Sequence, residues 1–188
     1  MVRSLSGIEL FSILAAGAIG SLALFNGSLS GSWLSLAILF ATMQVLWIAL
    51  RDMRDFTIPD GPVVALAMAG AILRLSSAQD AWTSELPLVV LDAGLCGAAF
   101  LLVREAFFRL RGFDGMGFGD VKLAIAAGAL VGMEGFAWSV FLASAVGLVA
   151  VVVAAWIRPG LKVERLPFGA LLAPVCWSVW LMQIWSAA

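Results

Sequence analysis

The chain has 188 residues, of which 63% are hydrophobic and 12% charged, with mean hydropathy +1.06 and net charge −1. Soluble domains hold roughly 45–50% apolar and about 25% charged residues, so a water-soluble globule is excluded, and so is bulk attraction to nucleic acid. The absence of histidine also removes imidazole catalysis and His-ligated metals.

A bilayer span takes about 20 apolar residues. Apolar runs between polar and Gly/Pro breaks predict seven spans, at 8–25, 33–50, 62–75, 86–103, 121–133, 136–157 and 167–185. The predicted fold class is therefore all-α: a polytopic membrane helical bundle, with residues 1–188 a single transmembrane domain and no soluble domain. The first run has one Arg before it and no clear A-x-A site after it, so it reads as a span rather than a cleaved signal peptide. The third and fifth runs are short and should extend into their polar flanks.

Lys and Arg set the orientation. With the N-terminus in the cytoplasm, ten of the eleven cations fall inside and only Arg74 lies near the outer side. The topology read from this is N-in, C-out. Trp33, Trp82 and Trp138 then sit at outer span ends, with Trp47 and Trp156 toward inner ends, as an interfacial belt requires. Gly94 with Gly97, and Gly128 with Gly132, read as small-residue packing faces. Arg74 and Asp92 both fall in the outer halves of adjacent spans, where an unpaired charge is expensive. They are expected to pair as a structural feature. Cys96 and Cys176 are isolated in apolar runs and read as small core residues.

Two groups of acids flank span ends at the inner face. One is Arg51-Asp52-Met53-Arg54-Asp55-Phe56-Thr57-Ile58-Pro59-Asp60, after the second span; the other runs from Asp114 through Asp120 to Lys122, before the fifth. Taken singly, Asp120 reads as a helix cap and Asp52 as a solvated loop acid. Taken together, two carboxylates sharing a proton can hydrolyse a peptide bond without His, Ser, Cys or metal, one as base on water and the other as acid on the carbonyl. Gly115, Gly117 and Gly119 are expected to supply positive φ and close backbone approach. Asp52 follows a helix and Asp120 begins one, so opposite helix-end fields would leave the shared proton mainly on Asp52.

The run Gly115-Met116-Gly117-Phe118-Gly119-Asp120-Val121-Lys122-Leu123 resembles the GxGD motif of the type IV prepilin peptidases, a family of membrane aspartic proteases. Asp52 stands six residues before Ile58-Pro59-Asp60, as the family's other aspartate does before its own element of this kind. Asp55 does not fit that spacing. Leu166-Pro167-Phe168-Gly169-Ala170 resembles the family's segment leading into the last span, with Ala where Pro is usual. The resemblance covers about residues 33–185.

It implies an aspartic endopeptidase that cuts the basic leader from prepilins or pseudopilins at the cytoplasmic face, in a bacterial inner membrane serving a pilus or secretion system. Asp52 and Asp120 would be catalytic. Gly117, Gly119, Asp114, Lys122, Asp55 and Asp60 would support the motif or attract the leader, although Asp55 and Asp60 read equally well as partners of Arg51 and Arg54. No cofactor, metal or nucleic acid is implied; the partners are the pilin-like substrate and the bilayer. Larger relatives carry an extra cytoplasmic domain with paired CxxC that methylates the new pilin N-terminus. That loop and motif are missing here, so a minimal, protease-only form is expected. Two other classes compete. A proton- or ion-coupled transporter would use Asp92, and a non-catalytic scaffold would tolerate Asn at both 52 and 120.

Overall fold

The computed structural model describes residues 32–77, 82–112, 116–157 and 166–187. These form five helices and, among the described residues, no strand: α1 Ser32–Asp55, α2 Asp60–Ser77, α3 Trp82–Arg111, α4 Phe118–Ile157 and α5 Phe168–Ala187. Their bounds follow the apolar runs, with α1, α2 and α3 running on into polar or charged residues at their ends. Three of them, α3, α4 and α5, are long and apolar enough to cross a membrane. The described part of the chain is all-α, as the composition implies.

The expected count of seven is not reached. The run 8–25 lies outside the described residues, and the runs 121–133 and 136–157 share the single element α4. The reason lies at Gly132, whose φ of 73° and ψ of 175° are non-helical. Contacts on either side show the chain turning back there. Gly119, at the start of α4, lies against Ile58, and Val131 accepts a hydrogen bond from Gln183 near the end of α5. Past the turn, Gly135 again lies against Gln183, whereas Gly147 lies against Leu166 and Leu171 at the start of α5. The segment 118–131 thus runs parallel to α5 and the segment 133–157 returns antiparallel to it.

Helices α1, α2, α4 and α5 pack in a ring, each on its neighbours, and α3 lies outside against α4. Ile38, Val45, Ile48, Leu66, Leu73, Leu123, Leu130, Leu172 and Trp177 fill the centre. The outward faces remain apolar, with Trp47, Trp138 and Trp156 exposed, which is the pattern of a bundle facing lipid rather than water. Gly97 and Gly128 do mark close helix approach: a Cβ on Gly128 would lie 2.7 Å from the Asp92 carbonyl oxygen. Gly94 differs from expectation, since a Cβ there would meet nothing within 4 Å. Buried hydroxyls are satisfied within their own helices, Thr42 donating to the Ile38 carbonyl and Ser139 to that of Gly135.

The expected Arg74–Asp92 pair forms, at 2.8 Å between α2 and α3. It stands beside the α4 turn, where a Cβ on Gly132 would lie 3.2 Å from Asp92 Oδ2 and 3.4 Å from an Arg74 guanidinium nitrogen. Gly132→Ala therefore meets two penalties, a Cβ at strongly positive φ and crowding by a charge pair. Strained backbone of this kind costs about 1–3 kcal/mol. The expected result is a lower thermal midpoint for the detergent-solubilised protein; an unchanged midpoint would mean the turn relaxes freely.

Candidate active site

The helix ends on the side away from Gly132 form an open cavity of about 300 Å³. Asp52 and Asp120 both line it. Asp52 lies in the last turn of α1 and is only 5% exposed. Its Oδ2 accepts the Ala170 backbone N–H at 2.8 Å. Ala170 is the third residue of α5, and the first N–H groups of a helix have no intrahelical acceptor. Leu166-Pro167-Phe168-Gly169-Ala170 thus delivers an unpaired helix donor to the carboxylate.

Asp120 stands in the first turn of α4, its backbone N–H held by the Gly117 carbonyl at 3.2 Å. The two carboxylates are close enough for their charges to interact. The expected opposition of helix-end fields is more complex than the chain order suggests: Asp52 ends its own helix but also binds the N-terminus of α5, whereas Asp120 lies at the N-terminus of α4 alone.

The connection from α1 to α2 shapes the wall. Phe56 has φ 51° and donates its N–H to the Asp52 carbonyl at 3.0 Å, closing α1 with a left-handed residue. Such a cap usually falls to Gly; a bulky aromatic there is strained. The bend carries Ile58 back over the carboxylates. A Cβ on Gly119 would lie 2.9 Å from Ile58 Cβ, and one on Gly169 would lie 2.6 Å from Ile58 Cδ1 and 3.0 Å from Asp52 Oδ2. Ile58 is wedged between two glycines from different helices. Neither Gly117 nor Gly119 has positive φ, which among the described glycines is found at Gly112 and Gly132. The requirement at Gly119 is space for Ile58, not backbone handedness, and a Cβ on Gly117 would make only ordinary contact, 3.5 Å from Asp120 Oδ2.

Of the residues singled out in the sequence, Asp52, Asp120, Gly117, Gly119, Asp60 and Lys122 line this one cavity. Asp60 and Lys122 are joined across it at 2.6 Å, and Lys122 Nζ lies 5.4 Å from the centre of the Phe118 ring. Asp55 is not among the lining residues; it pairs with Arg51 at 2.8 Å, one helical turn back on the exposed face. Asp114 and Gly115 lie outside the described residues. Phe56, Thr57, Ile58 and Phe118 also line the cavity. They carry no titratable group, and only their neighbourhood to the two acids marks them. No three Cys, Asp or Glu side chains converge to hold a metal among the described residues.

Residues 39–152 match the family model described as the type IV leader peptidase family. Curated relatives named prepilin leader peptidase/N-methyltransferase include one from Burkholderia pseudomallei, 35% identical over 166 residues, covering 85% of this chain and 50% of the relative. Others come from Neisseria gonorrhoeae, 31% identical over 65% of this chain and 41% of the relative, and Aeromonas salmonicida, 28% identical over 80% and 50%. The chain spans about half the length of the curated relatives it matches. No solved structure matches it. The matched residues contain both cavity aspartates and the helix turn between the strongly packed α3 and α5 contacts, and on that match the chain belongs to the type IV leader peptidase family.

Proposed function

We infer that the protein is a membrane aspartic endopeptidase that removes the leader from prepilins or pseudopilins, using Asp52 and Asp120 as its catalytic pair. The observation that carries this is the meeting of the two carboxylates, from α1 and α4, in one cavity at the end of an apolar bundle. With one proton between them, the ionised acid takes a proton from water as the water oxygen attacks the scissile carbonyl. The protonated acid gives its proton to the carbonyl oxygen. As the gem-diol collapses, the acid that took the water proton gives it to the departing nitrogen, the C–N bond breaks, and the other carboxylate takes a proton back from a diol hydroxyl, so the pair again holds one proton. The Ala170 N–H fixes Asp52 Oδ2 throughout, and Gly117, Gly119, Asp60 and Lys122 shape the approach.

The same reading places the cavity at the cytoplasmic face of a bacterial inner membrane. Arg51, Arg54, Arg104, Arg109, Arg111 and Lys122 gather around the helix ends that carry it, whereas Arg74 lies about 21 Å along α2 from Asp60 at 1.5 Å per residue. An N-in topology in which α4 crosses twice accommodates this charge distribution. The proposal covers the peptidase step alone. The transporter alternative depended on Asp92, and that side chain is engaged by Arg74.

The test is direct. Membranes containing the protein, mixed with a pilin precursor made of a short basic leader, a glycine and an apolar helix, should yield a product shortened at the leader. The shortening should persist with chelators and with serine- or cysteine-directed reagents present, since no such group enters the chemistry. An intact precursor under these conditions would overturn the proposal.

A further inference from the structure

The turn at Gly132 is held by side chains from three other helices. A helix leaves the carbonyls of its last turn without intrahelical donors, and for the segment 118–131 that turn is Gly128 to Val131. Two of these carbonyls receive side-chain donors. Arg74 of α2 reaches the Gly128 oxygen at 3.4 Å, and Gln183 of α5 reaches the Val131 oxygen at 3.1 Å. Arg74 is held in turn by Asp92 of α3 at 2.8 Å, with Glu85 further off at 3.8 Å. The placement also suits the helix dipoles: the guanidinium caps the C-terminal end of the first segment, and Asp92 Oδ2 lies at Gly132, just before the second segment begins.

These contacts are distant from the chemistry yet connected to it by a rigid element. Val131 and Asp120 belong to one unbroken helical segment, about 16 Å apart at 1.5 Å per residue. Gln183 and Ala170 belong to α5, and Ala170 holds Asp52. One segment therefore carries Asp120, its parallel neighbour anchors Asp52, and the two are tied at their far ends. An axial slip of the segment at Val131 is a slip of Asp120 against Asp52.

We propose that Arg74, Asp92 and Gln183 form a clamp on the α4 turn that sets the axial position of the Asp120-bearing segment against α5, making them positioning residues for the cleavage reaction. This rests on the peptidase reading, and it goes beyond a pair that merely neutralises two charges. A neutralising pair becomes dispensable once both charges are removed; a clamp does not, because the Gly128 carbonyl loses its donor.

The experiment compares wild type, Asp92→Ala, Arg74→Ala with Asp92→Ala, Gln183→Met and Gln183→Lys in precursor cleavage, normalised to folded protein. Asp92→Ala leaves Arg74 only the more distant Glu85 among its carboxylates and should lower yield; the double variant should recover part of it. The clamp predicts that kcat in the double variant and in Gln183→Met nevertheless falls about tenfold to a hundredfold, the scale of a misplaced catalytic group, with KM little changed. Gln183→Lys, which keeps a donor, should regain part of the loss. Wild-type kcat in both the double variant and Gln183→Met would overturn the clamp. A second measurement does not depend on cleavage: spin labels at Asp55→Cys on α1 and Phe118→Cys on α4, in a background without Cys96 and Cys176. The label distance should broaden in the double variant, and an unchanged distribution would overturn the proposal. If wild type cleaves nothing and Asp120→Asn changes nothing, the peptidase reading fails, and the distance measurement alone decides the clamp.

Discussion

Asp52→Asn and Asp120→Asn should each abolish precursor cleavage while leaving the protein in the membrane at near wild-type yield. Asparagine keeps the volume and the acceptor oxygen, so the Ala170 N–H retains a partner at position 52. What it lacks is the proton exchange. Positioned acid–base catalysis is worth about 10²–10⁴ in rate, and a pair acting as one unit loses most of its effect when either member is removed. The two single variants and the double should therefore be about equally inactive. Precursor and product resolved on a gel over time would measure this, with membrane content quantified in parallel. Processing by Asp120→Asn at the wild-type rate would exclude the dyad and favour a scaffold.

Gly169→Ala is the second large effect. The new methyl would sit 2.6 Å from Ile58 Cδ1 and 3.0 Å from Asp52 Oδ2, so the isoleucine tip and the carboxylate must both give way. Overpacking of this kind costs about 1–3 kcal/mol, which the whole bundle can absorb. The functional cost is larger: displacing a catalytic group by about 1 Å costs on the order of 10²-fold, and the Ala170–Asp52 hydrogen bond stands next to the intruding atom. Gly119→Ala should act similarly through Ile58 Cβ at 2.9 Å, whereas Gly117→Ala meets only ordinary contact and should be the mildest of the three. Ile58→Ala combined with Gly169→Ala should restore part of the activity, because it removes the first obstruction. Equal activity in Gly169→Ala and wild type would mean that the carboxylate relaxes without loss.

Much of the molecule is legible in one dimension. Hydropathy over about 20 residues is a local property, so the helices fall where the apolar runs lie, and the two acid-bearing segments at their ends are visible as strings. The Arg74–Asp92 pair was also accessible, because two charges in apolar spans have few affordable arrangements other than each other. Local strings did mislead about the glycines. Alternation of Gly with Met and Phe reads as a demand for positive φ, but Gly117 and Gly119 lack it.

Burial of apolar surface and the placing of charge are dictated residue by residue along the chain, and they suffice for a membrane bundle with carboxylates at its helix ends. The tertiary structure decided which ends meet. Reversal of α4 at Gly132, the wedge of Ile58 between Gly119 and Gly169, the Asp60–Lys122 bridge and the Ala170 donor on Asp52 all join segments far apart in sequence. Within that arrangement Asp55 keeps a local partner, Arg51 one turn back in α1, whereas Asp60 bridges to Lys122 on α4. The first pairing follows from i,i+4 spacing within one helix, whereas the second is set by where α4 begins in space.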